Sequence, residues 1–386
     1  MGVKTNLNQV FRPEKLKEAR ESRGLTIREL ATDIGLGTHQ ALSKYENGKS
    51  TPPAEVLIKL MNKLEVPFSY FFEDASYHSN NEIVYFRSKA NATSKLKRIH
   101  EIKIAWLMKI FYYLDSILDF PPSDLPESII NHQDFFRPTD YKEIETIALT
   151  LRKHWNLNNG PIDNITRLFE KHGIVVSLIK SDNFSIDACS KWLGNKLFII
   201  VGNDRSVPSR VKFTLAHELG HYLLHKNVKK SEFNTKEVYK RMEDEANHFA
   251  SAFLLPAETF SNELVSHTLD YYLLLKKRWQ VSMQAMVYRS KELNLINEYQ
   301  ASYIWKQIAK KGWRTKEPYD DVLLNESPTI LQDAIELILN HHVKTKKQLC
   351  DELRLNQKDI EALTNLPPGY LIESRTGDNI ISFKQR

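Results

Sequence analysis

The chain has 386 residues, with 54 Lys and Arg against 48 Asp and Glu, a formal charge of +6, 41% hydrophobic and 26% charged residues. That length exceeds what one small core needs, so two or three domains are expected, and the composition is that of an ordinary globular protein. So mild a charge permits a nucleic-acid partner without demanding one. Met1 to Val10 is polar and lacks the apolar stretch of a secretory signal. The longest apolar region, Ile104 to Leu118, is broken by Lys109 and Asp115 and reads as a buried helix, so no membrane partner is expected. Cys189 and Cys350 lie far apart and form no metal-type or redox-type pair, which suits a reducing cytoplasm.

Residues 9–74 read as a run of short helices. Pro13 opens a helix to Arg23, and Gly24 closes it. Thr26-Ile27-Arg28-Glu29 has the form of a capping box ahead of Leu30, Ala31 and Ile34. After Gly35-Leu36-Gly37 a short helix runs from Thr38 to Tyr45, and Pro52-Pro53 starts another through Leu64. Short helices with one sharp turn between two of them are the layout of a helix-turn-helix domain. Residues 75–93 read as a connector in which Glu82 to Phe86 form a short strand. A helix from Lys95 to Leu118 then ends at the proline-rich break 121–126.

From about residue 138 to 295 the pattern is mixed. Helices are expected over Tyr141–His154 and Ile162–His172, strands over Ile174–Leu178 and Lys196–Val201, and helices again over Ser209–His225 and Val238–Leu255. Farther on, Thr329–Asn340, Thr345–Leu353 and Gln357–Thr364 make a helical cluster. Thr345 to Gln348 is a capping box that opens either a second helix-turn-helix or a packing helix.

The chemistry sits in His217-Glu218-Leu219-Gly220-His221. On a helix, positions i and i+4 differ by about 40° of rotation, so both imidazoles lean to one side and can share a cation. Zinc suits such ligands, and Glu218 stands where it can activate a water molecule. The surrounding helix is apolar on nearly every face, so leaving two histidines and a glutamate there without a partner would be costly. A third ligand comes from the next helix, whose buried stripe is Met242, Ala246, Phe249, Ala250 and Phe253. Glu243 lies about 60° from the centre of that stripe and Glu245 about 100°. Glu243 is therefore the acid expected to point inward. Asn247, one turn on, is placed to fix the tautomer of a ligand histidine. His225 reads as a helix-end or supporting residue, and His248 as solvent-exposed.

Phe213-Thr-Leu-Ala-His-Glu-Leu-Gly-His221, with Glu243-Asp-Glu-Ala-Asn-His-Phe-Ala250 and Leu254-Leu-Pro256, resembles the ImmA/IrrE family of metallopeptidases. Glu143 to Trp155, Gly160-Pro-Ile162, His172 to Val176 and Ile199 to Asn203 extend the likeness over about residues 140–257. The family's third ligand falls on Glu243, in agreement with the helical wheel. The amino-terminal segment resembles the Xre-type helix-turn-helix of phage repressors, with two departures. Its turn at Gly35 to Thr38 is one residue long, and Ile27 stands where a polar DNA-contacting residue is common. Basic and acidic residues are nearly balanced there, a weak phosphate-binding surface. If it binds DNA, Thr38, His39, Gln40, Ser43 and Lys44 are the expected contacts; the alternative is a module for protein contact or dimerisation.

Together these resemblances imply an α+β protein: an all-helical helix-turn-helix domain (1–75), a connector with a long helix (76–135), a thermolysin-like αβ zincin core (136–298) and a small helical carboxy-terminal domain (299–386). The implied activity is a cytoplasmic Zn2+ endopeptidase, Glu218 taking the proton of the attacking water. The implied substrate is a repressor-type regulator in a mobile-element, stress-response or phage-defence system. Tyr222, Tyr239 and Arg210 are the nearby oxyanion candidates, and Lys196–Val201 is expected at the cleft edge, where an extended substrate would add as a strand. The alternative reading is a DNA-binding regulator, or a toxin–antitoxin component, that uses the peptidase half for sensing or docking.

Overall fold

In the computed structural model of the protein, the described residues are 10–74, 84–88, 92–133, 135–179, 186–202, 207–229, 231–232, 235–323 and 326–373. The amino-terminal helices are α1 (Pro13–Ser22), α2 (Ile27–Asp33), α3 (His39–Glu46) and α4 (Ala54–Leu64). The capping box forms: Thr26 Oγ1 accepts from the Glu29 amide at 3.2 Å, and the Glu29 carboxylate accepts from the Thr26 amide at 2.7 Å. Two orphan amides at the start of α2 are thereby satisfied, which fixes where that helix begins.

The sheet has the order β1-β3-β4-β2, with β1 spanning Tyr85–Ser88, β2 Val175–Ile179, β3 Ile186–Leu193 and β4 Lys196–Gly202. β2 runs parallel to β4, and β3 is antiparallel to both β4 and β1. The connector strand spans Tyr85–Ser88; Glu82 and Ile83 lie outside the described residues. β4 is an interior strand paired on both sides, so the expectation that Lys196–Val201 borders a cleft is wrong. Its apolar run Leu197 to Val201 is that of a strand buried on both faces, which is what an interior position requires.

Alternate residues of the sheet enter two cores. Val176, Leu178, Ala188, Leu197, Ile199 and Val201 face a cluster built on α6 (Tyr141–His154), α7 (Ile165–Lys171), α8 (Pro208–His225) and α9 (Lys236–Leu254). That cluster continues through α10 (Ala257–Glu263), α11 (Leu269–Trp279), α12 (Met283–Glu292) and α13 (Glu298–Lys310). Val175, Ile179, Cys189, Phe198 and Ile200 face the other way, onto α5 (Ser94–Asp115). The same second core takes in α1 to α4 and α14 (Ile330–Asn340), α15 (Lys346–Leu353) and α16 (Gln357–Thr364). Each fully buried large side chain contributes about 1.5–3 kcal/mol relative to exposure, so the two faces of the sheet are both strongly specified.

α16 bridges two regions. The Arg23 guanidinium donates to Asp359 at 2.6 and 2.9 Å, and Asn365 donates to the Leu178 carbonyl at 2.7 Å. Its amino end is thus held against the helix-turn-helix and its carboxy end against β2. Gly220 lets α8 and α9 approach closely: a Cβ there would lie 3.1 Å from Phe249 Cδ1 and 3.2 Å from Ala246 Cα.

Candidate metal centre

α8 is buried along nearly its whole length, from Pro208 to His225. Its missing Cβ at Gly220 brings α9 near enough for an acid of one helix to meet the imidazoles of the other. His217 Nε2 and His221 Nε2 lie 3.0 Å apart. Glu243 places Oε1 3.2 Å from His221 Nε2 and Oε2 3.6 Å from His217 Nε2. Among the described residues, His217, His221 and Glu243 are the one cluster of three side chains whose ligand-type atoms gather within 4.8 Å.

The hydrogen-bond partners decide which nitrogens bear protons. His217 Nδ1 is 2.9 Å from Asn247 Oδ1, an acceptor, so Nδ1 carries the hydrogen and Nε2 turns a lone pair toward the triad. Glu245 accepts from His225 Nε2 at 3.1 Å, which leaves His225 Nδ1 to accept from His221 Nδ1 at 3.1 Å. With its hydrogen on Nδ1, the neutral tautomer of His221 turns the Nε2 lone pair toward the triad. Burial drives the His217 imidazole well below its usual pKa, with Arg87 and His221 adding to the effect. Burial raises the Glu243 carboxyl, but His221, Arg87 and Tyr239 outweigh it and hold it below the ordinary range. Two imidazole nitrogens and a carboxylate thus converge on one point, an arrangement that a divalent cation relieves. Tetrahedral zinc with bonds of about 2.0–2.1 Å sets neighbouring nitrogens roughly 3.3 Å apart, close to the spacing found, so the residues fit the metal.

Glu218 is fully buried. Its Oε2 accepts from Ser190 Oγ on β3, and its Oε1 has no hydrogen-bond partner among the described residues. Burial pushes its carboxyl up to about 7, against the pull of His221 and Ser190. Such a group changes protonation near neutrality, as a general base must.

Two residues escape the sequence reading. Arg87 on β1 lies 5.2 Å from the Phe213 ring centroid, with Nη1 buried and unpartnered among the described residues. Burial pulls its pKa down, while the charges of Glu218 and Glu243 pull it up. Ser190 is the second. Both come from strands remote in sequence from the histidines, and only the sheet pairing joins them to the site. Of the oxyanion candidates, Tyr239 has two acceptors for its single hydroxyl hydrogen, the Glu243 carboxylate and the Phe86 carbonyl at 3.3 Å. Tyr222 donates instead to the Asn195 carbonyl at 3.3 Å, and Arg210 to the Arg314 carbonyl at 3.1 Å. A cavity of about 660 Å³ opens beside the triad, lined by Arg87, Arg210, Phe213, Asp244, Asn247 and Tyr288 among others.

One expectation on α9 is corrected. His248 is buried, not exposed: its Nε2 lies 3.0 Å from Glu145 and its Nδ1 3.4 Å from Glu292, with the ring stacked on Tyr141. Glu245 is buried as well, between His225, Arg241 and the Thr139 amide. The wheel assumed a single buried stripe, whereas α6, α8 and α12 all pack on α9 and cover more than one face.

On the helix-turn-helix, Thr38, His39, Gln40 and Lys44 are exposed and Ser43 is half-buried. Thr38 stands at the amino cap of α3, and Leu42 anchors the helix inward. Among the described residues no helix is long and apolar enough to cross a membrane.

Comparison with known proteins agrees with both regions. Residues 169–291 match the peptidase family model described as the IrrE N-terminal-like domain, and residues 16–71 match a helix-turn-helix model. No curated protein matches the chain. One solved structure, Bacillus thuringiensis PlcR in complex with the peptide PapR7 and DNA, is similar at 13% identity over 90% of each chain, with a TM-score of 0.17. Residues 16–71 are thus similar to helix-turn-helix domains and residues 169–291 to IrrE N-terminal-like peptidase domains.

Proposed function

We propose that the protein is a zinc-dependent endopeptidase that acts on another protein. One observation carries the reading: the lone pairs of His217 and His221 and the carboxylate of Glu243 converge in a buried site, each imidazole oriented from behind by Asn247 or His225. Zinc bound there supplies Lewis acidity that polarises a peptide carbonyl and acidifies a water molecule. Glu218 takes the proton at its free Oε1, holds it as a neutral carboxyl, and delivers it to the leaving nitrogen. Ser190 Oγ keeps the other oxygen in place, so the carboxylate rotates little between the two steps. Tyr239, on α9, is the donor on hand for the oxygen that gains charge at the scissile carbon. A repressor-type regulator as the substrate, a cytoplasmic setting and a place in a mobile-element, stress-response or phage-defence system rest on the family resemblance.

DNA binding through residues 9–74 is a second activity, favoured by the exposure of the α3 face that bears Thr38, His39, Gln40 and Lys44. A helix-turn-helix of this kind commonly works as a dimer, so a homodimer is part of that reading.

The test uses the full chain, loaded with zinc, and repressor proteins encoded beside it. Cleavage of one of them, with Glu218→Gln protein retaining zinc but slowed by at least about 100-fold, supports the reading. Full-rate cleavage by zinc-loaded Glu218→Gln protein overturns the role of Glu218.

A further inference from the structure

The IrrE-like match, 169–291, contains β2, β3 and β4 but not β1. β1 comes from the connector, between the helix-turn-helix and α5. It lies antiparallel on the outer edge of β3, with Tyr85 opposite Ser190, Phe86 opposite Cys189 and Arg87 opposite Ala188. Ser190 is the residue whose hydroxyl holds Glu218, so β1 crosses the sheet edge beside the reacting carboxylate. Without β1, that edge of β3 would be a row of free amides and carbonyls bordering the triad, the kind of edge on which an extended peptide adds as a strand.

β1 is fastened to the triad side by its own side chains and backbone. Tyr85 donates to the His225 carbonyl at 2.7 Å, and its ring centroid is 5.1 Å from that of His221. Tyr239, one turn before Glu243, places its hydroxyl 3.3 Å from the Phe86 carbonyl. Arg87 lies over the Phe213 ring of α8, 5.2 Å from its centroid. Beneath this strand His217 and Glu218 are 0% exposed and His221 4%, while Glu243 is half-buried. An extended peptide cannot pair with the outer edge of β3 beside Glu218 while β1 occupies it. The hold is short, four residues with a register shift between Arg87 and Ser88, so releasing it disrupts few ladder bonds.

We propose that β1 is an internal stand-in for an extended substrate on the outer edge of β3, and that a peptide segment of the substrate protein displaces it to reach Glu218. The proposal rests on the metallopeptidase reading. It makes the connector, and not the catalytic domain, the element that covers that edge. Substrate recognition is then mainly backbone pairing with β3, with the contacts of Tyr85 and Arg87 marking the pockets that alternate substrate side chains would fill.

The register offers a lock. Phe86→Cys in a Cys350→Ser background sets a new thiol opposite the native Cys189, so oxidation would tether β1 to β3 and reduction would free it. The release variant is Tyr85→Ala. Each full-length form is loaded with zinc, its metal content is measured, and binding of the tripeptide hydroxamate Pro-Leu-Gly-NHOH is followed by calorimetry. The proposal expects oxidised lock protein to bind at least about tenfold more weakly than its own reduced form, and Tyr85→Ala to bind at least about tenfold more tightly than the parent. Equal binding by the zinc-loaded oxidised and reduced lock and by Tyr85→Ala overturns the strand proposal alone. A parent chain that takes up no zinc overturns the metal assignment and this proposal with it.

Discussion

His221 and His225 face each other through their Nδ1 atoms at 3.1 Å, one turn apart on the same helix. The pair makes chemical sense only with Glu245 behind it. A carboxylate accepts and cannot donate, so the bond from His225 Nε2 fixes one tautomer, and that tautomer in turn fixes the one on His221. His217 is oriented in the same way by Asn247. The sequence indicated supporting roles for Asn247 and His225, but not the carboxylate that completes the second chain.

His225→Phe keeps the ring volume and removes the acceptor. It should weaken zinc binding about 10–100-fold, the usual cost of losing a group that orients a metal ligand. Competition with a chelating dye measures this, and unchanged affinity would show that His221 is held by packing alone.

Gly220→Ala should act from a distance. The new methyl would meet Phe249 and the Ala246 backbone at 3.1–3.2 Å, so α9 must shift by a few tenths of an ångström and carry Glu243 with it. Overpacking of this kind costs about 1–3 kcal/mol. Chemical unfolding should show that loss together with reduced zinc affinity. If stability falls while zinc affinity holds, the close approach of the helices serves packing only.

For the amino-terminal domain, Gln40→Ala and Lys44→Ala should weaken DNA binding while leaving zinc content and cleavage unchanged, because both side chains are exposed on α3. Lys44→Ala should also reduce the slope of log affinity against log salt by about one, the signature of a lost phosphate contact. Fluorescence anisotropy across a salt series reads both. Unaltered binding by both variants would assign α3 to another partner.

A pH effect follows from His248. Burial alone would lower its pKa, yet Glu145 and Glu292 outweigh it and raise the imidazole to about 9. A group whose folded pKa exceeds its unfolded value near 6.5 stabilises fully below that value and loses the contribution as pH rises through about 9. Glu145, lowered to about 2 by Arg289 and His248 against the upward push of burial, covers the acid side. Its contribution is complete above about 4.5 and fades as pH falls toward 2. The alkaline limb amounts to about 2–3 kcal/mol. Urea midpoints should fall between pH 7 and 9.5 in the parent and much less in His248→Gln. Parallel curves for the two proteins would contradict the assignment.

Much of this was legible in local pattern. The expected α6 and α16 have the observed boundaries, and α8 and α9 begin within two residues of the expected starts, because caps, prolines and helical periodicity act over a few residues. β3 was missed. Its Ser190 and Lys191 are polar yet buried, and no strand pattern reveals that Ser190 is inside to serve Glu218. Strand order was likewise out of reach: Lys196–Val201 reads as a strand, but its interior position depends on β3 and on a connector strand about 110 residues upstream. Arg87 joins the site by that same long-range pairing. Residues brought by neighbouring turns of one or two helices were found; those brought by the sheet were not.

Metal analysis of purified protein reads whether His217, His221 and Glu243 hold an ion. One zinc per chain is expected in the parent and in Glu218→Gln, and little or none in a His217→Ala/His221→Ala double variant or in Glu243→Ala that remains folded by circular dichroism. Zinc-free parent protein, or zinc retained at one per chain without the two histidines, would contradict this ligand set.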